Sequence, residues 1–233
     1  MTRLARIYRI LFDAYGPQGW WPIPSMAGRR GFDPGGYHPG DPLQPRTAAG
    51  RFEVALGAVL TQNTAWTNAE KALTSLLGAG VGTPEAVCSC DGPRLAALIR
   101  SSGHFNRKAG TLKAMAGIFL GRRVPSREAL LALRGIGPET ADSILLYAFR
   151  QPVFVVDAYT RRLLARIGLA EGAGSDEAVQ AFFHDSLPRR PELFSEYHAL
   201  IVIHAKRFCR ALPVCGGCPV RDCAHRRSAK SRA

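Results

Sequence analysis

From Arg51 onward the apolar residues fall at helical spacing for about a hundred residues, and this period limits the fold more than any other feature. In FEVALGAVLTQ, Phe52, Ala55, Leu56, Val59 and Leu60 share one stripe. Gln62, Asn63 and Thr64 interrupt it before Trp66, and Thr67 is placed to cap NAEKALTSLLG, which ends at Gly78. Pro84 opens a short segment with Cys88 and Cys90, read as plain thiols. GPRLAALIR leads to Ser101-Ser102-Gly103-His104-Phe105-Asn106, a helix is expected over about 107–120, and Ser126 caps REALLALR. Later, AYTRRLLARIG stops at Gly168, Ser175 opens DEAVQAFFHDSL, and Pro191 starts a last helix through Phe208. No stretch alternates as a strand does. The expected class is all-α.

A chain of 233 residues can bury one core or two smaller ones. Its formal charge of +13 favours a polyanionic partner. No apolar run reaches the ~18 residues of a membrane helix. The start, TRLARIYRILFDAYG, has no secretory core, and Leu4, Ile7, Leu11 and Ala14 fit a packed helix. Six cysteines without a signal peptide suggest metal or cluster ligands, and the expected location is cytoplasmic, with the nucleoid. Residues 16–48 are rich in Gly and Pro, and a loop of that length is disordered or functional. Within it, Gly19-Trp20-Trp21-Pro22 either anchors the loop or lines a pocket.

The densest chemistry lies between Leu133 and Arg162. Gly135-Ile136-Gly137 can turn tightly and expose amide N–H groups, and Pro138 suits the first position of the next helix. Such a helix start is an anion site. After the apolar run VFVV comes Asp157, heading AYTRRLLARIG. It is either a helix cap or a carboxylate for a sugar that becomes oxocarbenium-like as its base leaves.

The glycine hairpin, the helix after it, the apolar run and Val156-Asp157 together resemble the helix–hairpin–helix DNA glycosylases of the endonuclease III superfamily, from Trp20 to Cys223. The resemblance implies an all-α fold of two domains. A six-helix barrel would span 47–156, and a discontinuous helical domain of 1–46 and 157–233 would carry an iron–sulfur loop. It implies double-stranded DNA with a damaged base as partner, a monomeric protein, phosphate contact at Gly135, Ile136 and Gly137, and catalysis by Asp157. Bifunctional members carry a lysine where this chain has Glu139; a carboxylate cannot form a Schiff base, so strand cleavage is expected to be absent or weak. Glu139 is either a first-turn acid or a pocket residue. Only Lys71, Lys108, Lys113, Lys206 and Lys230 could offer an amine.

The pieces GWWP, FEVALGAVLTQNTAW, SGHFNRKA and GIGPETADSILLY look most like the 3-methyladenine branch. That likeness implies a flipped base held between Trp20 or Trp21 and Trp66, with cation–π attraction favouring alkylated, cationic purines. It also implies that Gln62 and His104 fill the gap left in the duplex, although the family more often places a bulky apolar wedge at the second position. The bland alternatives are a core Trp66 and an exposed loop His104.

Cys209, Cys215, Cys218 and Cys223 follow a C-x5-C-x2-C-x4-C spacing, which suits a [4Fe–4S] cluster better than a two-knuckle zinc ribbon. The first gap holds one charge, Arg210, and the tail bears Arg221, Arg226, Arg227, Lys230 and Arg232. The expected function is a monofunctional glycosylase for alkylated purines. Two alternatives remain open: an endonuclease III-like enzyme for oxidised pyrimidines, and a catalytically silent DNA-binding homologue.

Overall fold

The computed structural model describes residues 1–121, 123–169 and 174–226, and among them every regular element is helical. The helices are α1 Arg3–Tyr15, α2 Ala48–Leu60, α3 Trp66–Gly78, α4 Pro84–Ser89, α5 Gly92–Leu98, α6 Phe105–Leu120, α7 Arg127–Leu131, α8 Pro138–Ser143, α9 Ala158–Ile167, α10 Asp176–Ser186 and α11 Pro191–Arg207. Short 3₁₀ turns occupy Pro24–Met26 and Arg100–Ser102, and α8 gives way to a π-helical turn over Ile144–Ala148. No helix among the described residues is long and apolar enough to cross a membrane.

Local chemistry explains most of the boundaries. Thr2, Thr47, Thr83, Asp91, Ser126, Asp157 and Ser175 each accept a first-turn N–H from the helix they precede. The expectation that Thr67 caps α3 is overturned. The Ala65 carbonyl already accepts the N–H groups of Asn68 and Ala69, so Ala65 is the cap residue and Thr67 lies inside the helix. The helix expected from about residue 107 starts at Phe105, behind His104 in the left-handed conformation (φ 46°).

The chain forms two compact units, one of Met1–Trp20 with Pro152–Ala233 and one of Trp21–Gln151. The stretch 21–46, expected with the terminal segments, instead packs in the second unit. Trp21, Pro22 and Ile23 are buried there, the Ser25 N–H donates to Glu53 Oε1 at 2.8 Å, and His38 holds the Trp21 carbonyl at 3.1 Å. The other boundary falls at Pro152 rather than Asp157, because Phe154 stacks on Phe183 with ring centroids 3.6 Å apart. That pair, with Phe194, Tyr197, Leu4 and Leu11, forms the core of the first unit, where the Tyr197 hydroxyl donates to the Leu4 carbonyl. The long Gly/Pro-rich loop is thus ordered by buried aromatic and aliphatic anchors.

Candidate nucleic-acid interface

The glycine hairpin joins α7 to α8. Gly135 has φ 94°, and a Cβ at this residue would run into Thr111 Oγ1, so both conformation and space require glycine. From behind, the Thr111 hydroxyl donates to the Arg134 carbonyl, and the Gln62 side-chain amide donates to both the Gly135 carbonyl and Thr140 Oγ1, each at 2.8 Å. Arg127 and Asp142, 2.7 Å apart, tie α7 to α8. The front is different. Gly137 is the N-cap of α8, no side chain caps that helix, and Gly135, Gly137, Pro138 and Glu139 are exposed. A braced backbone with an uncapped, exposed helix start is suited to an external anion.

Asp157 lies in the other unit, heading α9. It is buried, 8% exposed, and its Oδ1 accepts the Thr160 N–H at 2.7 Å. His198 Nε2, on α11, stands 3.5 Å from Oδ2. Burial pushes the Asp157 carboxyl upward, but His198 and the Thr160 N–H outweigh it, and the net shift is below the ordinary carboxylate range. The group therefore stays anionic at neutral pH. The cap reading and the carboxylate reading describe the same side chain: it does cap α9, and one oxygen faces an imidazole. Trp20, half-buried, meets His198 edge-on with centroids 6.2 Å apart.

The adjacent tryptophans part at the unit boundary. Trp21 is buried in the second unit, where its indole fills the space a side chain at Gly57 would need; a Cβ there would come within 2.8 Å of Nε1. Its ring meets Trp66 edge-on at 5.8 Å and Tyr147 at 5.3 Å. Trp66 is half-buried at the start of α3, and the π turn carries Tyr147. Trp21 and Trp66 thus come together, and Trp20 joins Asp157 and His198 instead.

Lys108 is 1% exposed, and its ammonium donates to three main-chain carbonyls: Leu60 at 2.7 Å, Gln62 at 3.0 Å and Ser102 at 2.7 Å. Burial, with a smaller contribution from Arg107, lowers its pKa to about 8. An amine held in this way is a structural cation. His104 is exposed, as a loop residue should be.

A family model described as the HhH-GPD superfamily of base excision DNA repair proteins matches residues 56–189. The chain belongs to that superfamily. "Putative DNA repair glycosylase MJ1434" of Methanocaldococcus jannaschii is 36% identical over 230 residues, covering 93% of each chain. Among solved structures, the 3-methyladenine DNA glycosylase of H. pylori bound to 1,N6-ethenoadenine is 29% identical, with a TM-score of 0.55 over 72% of this chain and 92% of that one. A trapped endonuclease III–DNA covalent intermediate has a TM-score of 0.70 over 99% of this chain and all of the other at 21% identity, which speaks to fold alone. This HhH-GPD protein is an endonuclease III-like glycosylase with the all-helical fold that the sequence implied.

In this glycosylase the four C-terminal cysteines lie in one loop after α11, all as free thiols. Cys218 is pushed up by burial and by the neighbouring Cys223, Cys215 and Cys209, so the four sulfurs share one neighbourhood. Arg166 donates to Cys209 Sγ at 3.3 Å, and the Cys223 thiol donates to the Arg166 carbonyl at 3.1 Å. Among the described residues no three His, Cys, Asp or Glu side chains stand in an arrangement that could hold a metal ion. Four thiols in one loop are a donor set that suits iron and sulfur. Arg227, Lys230 and Arg232 lie outside the described residues.

Two residues, one in each unit, were absent from the sequence reading. His198 sits inside the apolar stretch YHALIVIHA, where a buried polar residue is the only signal. Tyr147 ends the run ILLY, which reads as plain core.

Proposed function

We propose that this glycosylase is monofunctional, removes alkylated purines such as 3-methyladenine from double-stranded DNA, and leaves an abasic site. The observation that carries this reading is the aromatic group Trp21–Trp66–Tyr147, in which the buried Trp21 fixes a half-exposed Trp66 beside it. A fixed ring face attracts a cationic base by up to ~2 kcal/mol when desolvated. The 29% identical H. pylori relative, a 3-methyladenine glycosylase by name, supports the same class.

The chemistry follows from charge. An alkylated purine is cationic and leaves C1′ with the bond electron pair as a neutral base, so no acid is needed. The sugar becomes oxocarbenium-like, and the Asp157 carboxylate stabilises that charge. Water forms the new C1′–O bond, and its proton passes to the carboxylate or to solvent. Gly135, Ile136 and Gly137 hold phosphate, Gln62 and His104 fill the gap, and Trp20 or Trp21 acts with Trp66 at the base. Glu139 supplies no imine, and Lys108 is committed to three carbonyls, which supports hydrolysis without strand cleavage. Cys209, Cys215, Cys218 and Cys223 would hold a [4Fe–4S] cluster, which when bound would pin the loop after α11. Brown colour lost on Cys218→Ala would mark that cluster, and a colourless protein carrying zinc would replace it with the other metal.

The test is base release from methylated and from oxidised duplexes, with Asp157→Asn as control. Release of methylated purines without strand breaks is expected. Preferential release of oxidised pyrimidines would favour the endonuclease III-like alternative, and no release from either would mean a silent DNA-binding homologue. Efficient borohydride trapping of a covalent DNA adduct would end the monofunctional reading.

A further inference from the structure

We propose that Lys108 is a positioning residue for base eversion: its single ammonium holds the Gln62 turn and the Ser101–His104 turn as one preorganised gap-filling unit. The proposal rests on the reading of Gln62 and His104 as the residues that enter the duplex. Three observations carry it. The ammonium has three N–H donors and meets three carbonyls, Leu60 and Gln62 at the end of α2 and Ser102 in the turn before α6. Buried cations are tolerated only when fully paired, so the two turns are held in place by a group that cannot let either go cheaply.

The second observation is conformational. Both turns carry a non-glycine residue in the left-handed region, Asn63 at φ 52° and His104 at φ 46°, the latter preceded by Gly103 at φ 68°. Strained backbone of this kind persists only where neighbours hold it. Lys108 binds the carbonyl one residue before Asn63 and the carbonyl two before His104. A third observation links the pair to the hairpin. The main chain of Gln62 is fixed by Lys108, and its side chain is clasped to the Gly135 carbonyl and Thr140 Oγ1. Gln62 can therefore enter DNA by a side-chain rotation that releases the hairpin, with its backbone left where it is. One lysine and one glutamine in this way connect both gap-filling turns to the phosphate grip.

Lys108→Met keeps the unbranched stem, one atom shorter, and removes all three donors. The measurement is single-turnover excision from two duplexes, one with the lesion paired and one with it in a single-nucleotide bulge, where little eversion work is left. The fluorescence of 2-aminopurine in undamaged duplex reports eversion without chemistry. Loss of about tenfold or more on the paired lesion, with less than about twofold on the bulge, is expected, together with a weaker eversion signal. Equal losses on both substrates, or none, would overturn the proposal, because a merely structural lysine does not distinguish them. Lys108→Gln, which retains two donors, takes the same measurements if the methionine variant does not fold, and an intermediate loss is expected. If the wild-type protein releases no base at all, the glycosylase reading fails, and the fluorescence arm still decides the role of Lys108.

Discussion

Helices α8 and α9 begin some twenty residues apart in sequence and treat their first-turn N–H groups in opposite ways. At α9 an internal anion is supplied: Asp157 caps the helix and is buried against His198. At α8 the cap is Gly137, with no side chain to offer, and the start faces solvent. A helix start that is satisfied from within is closed to an outside anion, and one left open attracts it. The same backbone chemistry thus yields a helix start closed by its own carboxylate and another left open, which on the proposed reading takes phosphate.

The largest effect is expected from Asp157→Asn. Asparagine caps a helix about as well as aspartate, so α9 should form and circular dichroism should be unchanged. Excision should fall roughly hundredfold to thousandfold, as when one electrostatic stabiliser is removed from a site. DNA affinity should hold. If the variant turns over normally, Asp157 is a cap and nothing more.

Gly137→Asp makes α8 resemble α9. The backbone at residue 137 is extended, and no atom lies within 4 Å of a Cβ built there, so the substitution fits. The new carboxylate should cap α8 and raise the melting temperature slightly. It should also weaken DNA binding about tenfold and reduce the salt slope by roughly one phosphate contact. Unchanged affinity would mean that the open helix start touches no phosphate. Trp66→Ala tests the base side, with excision of alkylated purines reduced by up to about thirtyfold and nonspecific DNA binding unaffected.

What the sequence made legible was whatever the backbone demands locally. Gly135 and Gly137 announce a hairpin because few other residues can turn there, and Asp157 announces a helix start because carboxylates cap. The Ser126 and Ser175 caps, the all-helical class and the family followed from such short-range chemistry. The rest depends on where single side chains travel. Nothing in Gly19-Trp20-Trp21-Pro22 says that neighbouring indoles go to different units, Trp20 to His198 and Trp21 to Gly57. The π turn that carries Tyr147 adds one residue to a helical turn and leaves no periodic trace. Lys108 reads in the sequence only as one of five possible amines, and its burial is not legible there because its acceptors come from segments 48 and 6 residues away.

Lys108 extends the comparison to the opposite pole of a helix, since it satisfies the carbonyl end of α2 with an internal cation. With its pKa lowered to about 8, by burial first and by the Arg107 charge second, it titrates in an accessible range. The sign has two parts. Between about 8 and the ordinary value of 10.5, the unfolded chain binds the proton that the folded chain has lost, so Lys108 makes global stability rise with pH in that window. Its local effect is the reverse: a neutral amine has two N–H donors for three carbonyls, so one turn loses its tie. Eversion of 2-aminopurine should therefore weaken by a small factor, about twofold to threefold, as pH rises from about 7 to about 9.5. The Lys108→Met variant, measured alongside, removes the contribution of other groups that titrate there. If the wild-type signal and melting temperature fall together, and the variant follows both, the loss is global and Lys108 does not act through the turns. If the signal falls while the melting temperature does not, the cation at the end of α2 is holding open loops in place, as the anion at the head of α9 holds a closed one.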